Sequence, residues 1–320
     1  MKRLLIAALV LLGGMFEPSL AQDNDGQKAV LITGASSGIG RNMAETLARE
    51  GYFVYAGARK QADIDELSTI ENIEGIRLDV TVQEQIDAAV AHVRDAGRGL
   101  YGLVNNAGVG VIWPLIEVDE DDMQFQMDVN TFGPWRVTRS FAPLIIESKG
   151  RITTTGSISG ILSGMMAGPY SMSKHAVEAF TDSLAAEMRK FGVSVSVIEP
   201  GNYRSSIIDS LMRRMDNRGL SAEGSLYQAE IEGMIERFGE GYDQSYYKEP
   251  DEVSAALLEF LEDDNPKRRY MVVPAPGQAE VTIRKAIEEL VQLNERHQYS
   301  YDRDELVAFL DEALAGLEEN

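Results

Sequence analysis

Tyr170 and Lys174 open and close the run Tyr170-Ser171-Met172-Ser173-Lys174, and a separation of four residues puts both side chains on one helix face. A tyrosine phenol ordinarily ionises at about pH 10, too high for ready proton exchange near neutrality. An adjacent ammonium favours the phenolate, so the pair could serve as a general acid/base. Thirteen residues before Tyr170, Ser157 stands in Gly156-Ser157-Ile158-Ser159-Gly160 and offers a hydroxyl. A Tyr–Lys pair is also common on purely structural helices, so its meaning depends on what the rest of the chain brings to it.

The strongest companion is Thr33-Gly34-Ala35-Ser36-Ser37-Gly38-Ile39-Gly40. It follows the apolar run Ala29-Val30-Leu31-Ile32, as expected of a central parallel strand, and precedes Met43, Ala44, Leu47 and Ala48 at helical spacing. A glycine-rich turn there lets the backbone approach a pyrophosphate, and the free N–H groups of the helix end attract its charge. The glycine spacing is GxxxGxG, not the GxGxxG of the general dinucleotide fingerprint.

A second strand, Tyr52 to Ala58, ends at Arg59-Lys60, where an adenine-ribose partner belongs. An arginine at that place favours a 2′-phosphate over a bare hydroxyl; a solvated basic pair is the other reading. A short third strand, Ile76 to Leu78, leads into Asp79-Val80-Thr81. Asp79 either lies beside an adenine amino group or is a turn residue, and Thr81 is the expected cap of the next helix. A fourth strand, Leu100 to Val104, closes in Asn105-Asn106-Ala107-Gly108, small and amide residues that let a cofactor lie close while pinning neighbouring strands. The acidic run Glu117 to Asp122 reads as a solvated helix start capped by Asp119, and the long helix after it carries Asn130, Gly133 and Val137. A fifth strand, Gly150 to Thr155, ends at the Ser157 segment, and a sixth, Val193 to Ile198, runs into Pro200-Gly201.

At 320 residues and 44% hydrophobic composition the chain can bury a substantial core. Its net charge of −21 argues against broad nucleic-acid binding. Without cysteine there is no disulfide or thiolate chemistry, and His92, His175 and His297 are scattered, so no metal site is expected. Lys2-Arg3, the apolar segment Leu4 to Phe16 and Ser19-Leu20-Ala21 have the form of a secretory signal cleaved after residue 21. Export to the periplasm or medium follows, with an uncleaved membrane anchor as the alternative. A cytoplasmic location would suit a nicotinamide cofactor better, and the sequence does not reconcile the two.

Taken together, these residues resemble the short-chain dehydrogenase/reductase family in its non-extended form, over 28–274. The opening turn, Asn105-Asn106-Ala107-Gly108, Asn130, Ser157, Tyr170-x-x-x-Lys174 and Pro200-Gly201 occur in the family's order and spacing. The Gly156-Ser157 context and Pro200-Gly201-Asn202-Tyr203-Arg204 look like the branch of hydroxysteroid and retinol dehydrogenases. The resemblance implies an α/β fold, a Rossmann-type doubly wound parallel sheet of seven strands ending with Arg269 to Val273, and a homo-oligomer, dimer or tetramer. It implies NADP(H), with NAD(H) less favoured, held by Gly34, Ser36, Ser37, Gly38, Ile39, Gly40, Arg59, Asp79, Val80, Asn106, Ala107 and Gly108. Pro200, Gly201, Tyr203 and Ser205 would line the nicotinamide side. Tyr170 would exchange the proton as a hydride moves, Lys174 would hold the nicotinamide ribose, Ser157 would donate to the substrate oxygen, and Asn130 would hold a water that relays protons from Lys174.

Two competing readings make different demands. A nucleotide-binding sensor needs the cradle but not the Ser, Tyr, Lys and Asn set, and an epimerase of the extended branch has a differently spaced opening turn. Residues 22–274 are thus expected to form the catalytic domain. Within it, 202–247 is long for the segment that closes over substrate, and its apolar residues predict two amphipathic helices around a bulky hydrophobic alcohol or ketone, with methionines and tyrosines at the mouth. Residues 275–320 read as a helical extension packed on the domain or on a neighbouring subunit.

Overall fold

A computed structural model describes residues 26–239 and 241–318. The leader proposed for 1–21 lies outside the described residues. The chain alternates strand and helix: β1 Ala29–Thr33, α1 Gly38–Arg49, β2 Phe53–Ala58, α2 Gln61–Leu67, β3 Ile73–Arg77, α3 Gln83–Asp95, β4 Gly102–Asn105 and α4 Glu120–Met127. It continues with α5 Gly133–Ser148, β5 Arg151–Thr155, α6 Gly168–Met188, β6 Ser194–Pro200, α7 Ile207–Arg218, α8 Gln228–Phe238, α9 Asp251–Glu262, β7 Arg269–Val272, α10 Pro276–Asn294 and α11 Arg303–Glu318. All seven strands pair in parallel in the order β3-β2-β1-β4-β5-β6-β7. The order reverses beside β1, and in open α/β sheets a ligand crevice lies outside the strand C-termini at that point.

The continuous apolar character of β1 follows from burial on both faces. Val30 and Ile32 pack with α1 and α9 in one core, and Ala29 and Leu31 with α3, α5 and α6 in the other. The edge strand β3 starts at Ile73, before the apolar Ile76 to Leu78 expected from sequence. Its half-exposed Glu74 and Gly75 pair with Tyr55 and Ala56, so half of it has no need to be apolar.

The long helix expected around Asn130 is interrupted by one π-helical turn, Asp128–Phe132, between α4 and α5. Pro134 explains the break, because it has no N–H to give the carbonyl four residues back, that of Asn130. Thr81 does not cap α3, which begins at Gln83; instead the N–H and hydroxyl of Thr81 both donate to Asp79 Oδ1, at 2.9 and 2.7 Å. Asp119 occupies the cap position of α4 without capping it, because its carboxylate pairs with Arg218.

The acidic run before α4 is not merely solvated. Asp122 is 3% exposed and accepts from Arg214 of α7, while Glu117 accepts from the Ser225 hydroxyl and, at 2.9 Å, from the Leu226 N–H. These carboxylates dock the two helices of the 202–247 segment, which share a small core of Trp113, Leu211, Met215, Ala222, Ile231 and Met234. The C-terminal extension meets the domain through its first turn: Gln278 Oε1 accepts from the Asn202 N–H at 2.9 Å, and Thr282 is fully buried. Beyond that, Val281, Ile287, Leu290, Val291, Phe309 and Leu310 are about half exposed, so most of the expected packing on the domain is not made within one chain.

Candidate active site

The strand C-termini open into a cavity of about 640 Å³. Every residue assigned above to cofactor binding lines it, together with Ser157, Tyr170 and Lys174. Its phosphate end is shaped by close backbone approach. Gly34 has φ +66°, and a Cβ there would lie 2.7 Å from Ala107 Cα; a Cβ on Gly40 would lie 2.3 Å from Asn106 Nδ2 and 2.4 Å from the Gly34 oxygen. Both positions therefore exclude any side chain. Asn106 acts from behind: its amide donates to the oxygens of Thr33 and Gly34 at 3.0 and 3.2 Å, and Thr33 Oγ1 accepts from the N–H groups of Asn106 and Ala107, each at 3.0 Å. The cradle is thus pinned to the end of β4, with the N-terminus of α1 opening beneath it, and these features fit a pyrophosphate.

At the adenine end, Gly57, Ala58 and Leu78 join Arg59, Asp79 and Val80. Among the described residues the Arg59 side chain has no hydrogen-bond or ion-pair partner. Asp79 commits Oδ1 to Thr81. The opposite wall comes from the segment after β6, where Ser206 donates to Ser37 Oγ at 2.7 Å and ties the substrate segment to the opening turn. Tyr203 lines the cavity, but its hydroxyl donates to Glu252, which together with burial holds its phenol far above the usual range. That hydroxyl is therefore committed away from a cofactor.

At the nicotinamide end, α6 presents Tyr170 and Lys174 as its first two turns dictate, and the Tyr170 and Ser157 hydroxyls are within hydrogen-bonding reach. Burial raises the Tyr170 phenol above its usual value, and the bond with Ser157 opposes the shift. Lys174 Nζ lies 5.7 Å from the Tyr170 ring centre and donates to the Thr155 oxygen at 2.8 Å. Burial lowers the ammonium to about 8, against the pull of the Glu178 carboxylate. The expected dominance of Lys174 over the phenol thus gives way to burial, which keeps Tyr170 protonated and able to donate.

Asn130 is the one assigned residue that does not line the cavity. Its amide donates to the Val109 oxygen at 2.9 Å and to Ser173 Oγ at 3.2 Å, and accepts from the Val109 N–H at 2.8 Å. With both donors committed, the side chain anchors the β4 exit to α6. Sequence reasoning missed two members of this cluster. Gln126 bonds Val109, Val111 and Ser173, and Ser173 is fully buried between the two amides. Their signal was positional: Gln126 precedes Asn130 by one turn, and Ser173 precedes Lys174.

The substrate mouth carries Ile112, Leu162, Ile207, Ile208, Leu211, Phe238, Tyr242 and Tyr247. The methionines expected there are elsewhere: Met215 and Met234 are buried in the small helical core and Met212 packs against it. The stripe period was helical, but those positions face the partner helix.

The short chain dehydrogenase family matches residues 28–216. The chain is 34% identical over 248 residues, 77% of its length and 86% of the relative's, to the uncharacterized oxidoreductase YbbO of Escherichia coli K12. It is 37% identical over 226 residues, 69% of each chain, to retinol dehydrogenase 7 of Rattus norvegicus. A short chain dehydrogenase/reductase from Burkholderia phymatum, solved in complex with NAD, superposes with a TM-score of 0.70 at 25% identity, over 86% of this chain and 97% of that one. A strand-order switch with a glycine cradle, and a Ser–Tyr–Lys cluster at the far end of the same cavity, are held here by a chain that belongs to the short-chain dehydrogenase/reductase family of oxidoreductases.

Proposed function

We propose that the chain is an NADP(H)-dependent oxidoreductase that interconverts a bulky hydrophobic alcohol, steroid- or retinoid-like, with its ketone or aldehyde. The observation that carries this reading is the convergence of Ser157, Tyr170 and Lys174 at one end of the cavity, beneath a mouth of Ile207, Ile208, Leu211, Phe238, Tyr242 and Tyr247. A bound nicotinamide nucleotide would supply or accept the hydride. Ser157 would donate to the substrate oxygen and hold it beside Tyr170, which gives its proton to that oxygen in reduction and takes it back in oxidation. Lys174, anchored on the Thr155 oxygen, would turn its remaining N–H groups to the nicotinamide ribose hydroxyls. Asn130, Gln126 and Ser173 would fix the height of α6 over the β4 exit.

Support for the 2′-phosphate comes from Arg59, a cation without a side-chain partner among the described residues. Support for a bulky apolar substrate comes from the residues of the mouth and from the similarity to a retinol dehydrogenase. Phe132, Trp135 and Met172, all about half exposed on neighbouring helices, support a homo-oligomer, which light scattering would size.

The test of the reading is NADPH and NADH absorbance followed with purified protein across ketones, aldehydes and alcohols of graded size. Turnover of bulky cyclic or polyene carbonyls with NADPH is expected. Removing one methylene from a good substrate should cost about 1–3 kcal/mol in kcat/KM. Better turnover of a small sugar than of every bulky ketone would overturn the substrate class.

A further inference from the structure

We propose that Glu178 and Glu199 share one proton, and that this bridged pair is the support that holds the Ser157 loop and the Lys174 ammonium in their working positions. The proposal rests on the reading of Ser157, Tyr170 and Lys174 just given. Glu178 stands on α6 one turn beyond Lys174, and Glu199 is the penultimate residue of β6, directly before the Pro200–Gly201 exit. The two carboxyl groups converge on one nitrogen, Arg269 Nε, which lies within 4.0 Å of an oxygen of each. Glu199 is 3% exposed, and Oε1 of each finds no donor among the described residues. Adjacent buried carboxylates resist being ionised together, and one proton between them turns two orphaned acceptors into a single O–H···O bond.

The surrounding charges favour that proton. The side chains facing the pair are Lys174 and Asp182 from α6 and Arg269 from β7. Arg269 Nε lies 3.3 Å from Glu178 Oε2 and 4.0 Å from Glu199 Oε1, while its other arm goes to Asp182 at 2.7 Å. One guanidinium thus meets three carboxylates, and the Lys174 ammonium is bonded to the Thr155 oxygen. The link to catalysis is steric as well as electrostatic. A Cβ on Gly160 would lie 2.7 Å from Glu178 Oε1 and one on Gly156 3.2 Å from it, so the two glycines that bracket Ser157 rest directly on this carboxyl.

Burial raises both carboxyls, Glu199 to about 8, with the charge of Glu178 adding to the effect. Because the folded value is raised, the bridge is complete at neutral pH and is lost as pH rises through about 8. The Glu178 charge also holds the Lys174 ammonium up, so its removal brings loss of that ammonium to lower pH.

Two measurements test this on the full chain. The first, independent of turnover, is infrared difference spectroscopy across the alkaline transition. A protonated-carboxyl stretch should disappear in the wild type as pH rises, and should be missing from both Glu178→Gln and Glu199→Gln. The second is the pH profile of kcat/KM. Glu178→Gln fills the same space and should shift the alkaline limb down by about one pH unit, the scale of one adjacent charge. Glu178→Leu should lose activity at every pH. A carboxyl with a merely structural role would lower the rate equally across the profile without moving the limb. The proposal is overturned by a wild type with no titrating carboxyl band, by a band that survives both Gln variants, or by an unmoved limb in a folded Glu178→Gln. If Glu178→Gln fails to fold, the band in Glu199→Gln decides. A wild type that shows the band but reduces no carbonyl would refute the proposed activity and leave the shared proton standing.

Discussion

Replacing Gly40 with alanine tests whether the opening turn is a cofactor cradle built by close backbone approach. The new methyl would sit 2.4 Å from the Gly34 oxygen and 2.3 Å from Asn106 Nδ2, so backbone or the Asn106 side chain must move. Overpacking of this kind costs about 1–3 kcal/mol. Displacing Asn106 also breaks its bonds to Thr33 and Gly34, about 1 kcal/mol each. Alanine returns up to ~1 kcal/mol of helix propensity at the start of α1. The net loss is about 2–4 kcal/mol, which for a domain of this size lowers Tm by roughly 5–15 °C. Cofactor affinity should fall as well, about tenfold for every 1.4 kcal/mol by which phosphate binding weakens. Differential scanning fluorimetry with and without NADPH, and a fluorescence titration for Kd, give both numbers. The control is Gly233→Ala on α8, where nothing lies within 4 Å of the new methyl, and there Tm should hold or rise. A Gly40→Ala protein that melts and binds NADPH like the wild type would refute the close-approach argument.

Arg59→Ala should lose NADP(H) over NAD(H) discrimination by roughly 1.5–3 kcal/mol, the range for charge-assisted hydrogen bonds; a wild type that binds both nucleotides equally would remove Arg59 from that role. Ser173→Ala should leave the Asn130 and Gln126 amides short of a partner on α6 and cost about 1–3 kcal/mol of stability, read from urea denaturation; an unchanged midpoint would show that the cluster does not hold α6. The leader is proposed to be cleaved before Gln22 on export. Mass spectrometry of the native amino terminus checks this, and an intact Met1 on cytoplasmic protein would contradict it.

What the sequence made legible was short-range. The glycine turn, the Tyr170–Lys174 spacing and the apolar strands each state their geometry within a few residues, and each stands where it was expected. The misreadings share a cause in long-range partners. Asp122 looked like a solvated helix start because Arg214 and Arg218, which bury it, come about ninety residues later. Met215 and Met234 fit a pocket mouth by type, yet α7 and α8 turn them toward each other. The ties of the Asn130 amide to Val109 and Ser173 are equally invisible in the sequence, since their partners lie 21 and 43 residues away. The edge strand β3 began earlier than its apolar residues suggested, since half-exposed positions carry no hydrophobic signal. Nothing in the sequence links Glu178 with Glu199, because two glutamates twenty-one residues apart become a pair only when α6 lies against β6.

The most direct test of the central claim is Tyr170→Phe, assayed for NADPH binding and for single-turnover reduction of the best ketone found. Phenylalanine keeps the ring beside Lys174 and removes the hydroxyl that carries the transferable proton. The account predicts Kd for NADPH within a few-fold of wild type and reduction slowed by about 10²-fold or more, the scale of a lost general acid. Reduction at a near-wild-type rate, with the same pH dependence, would contradict it.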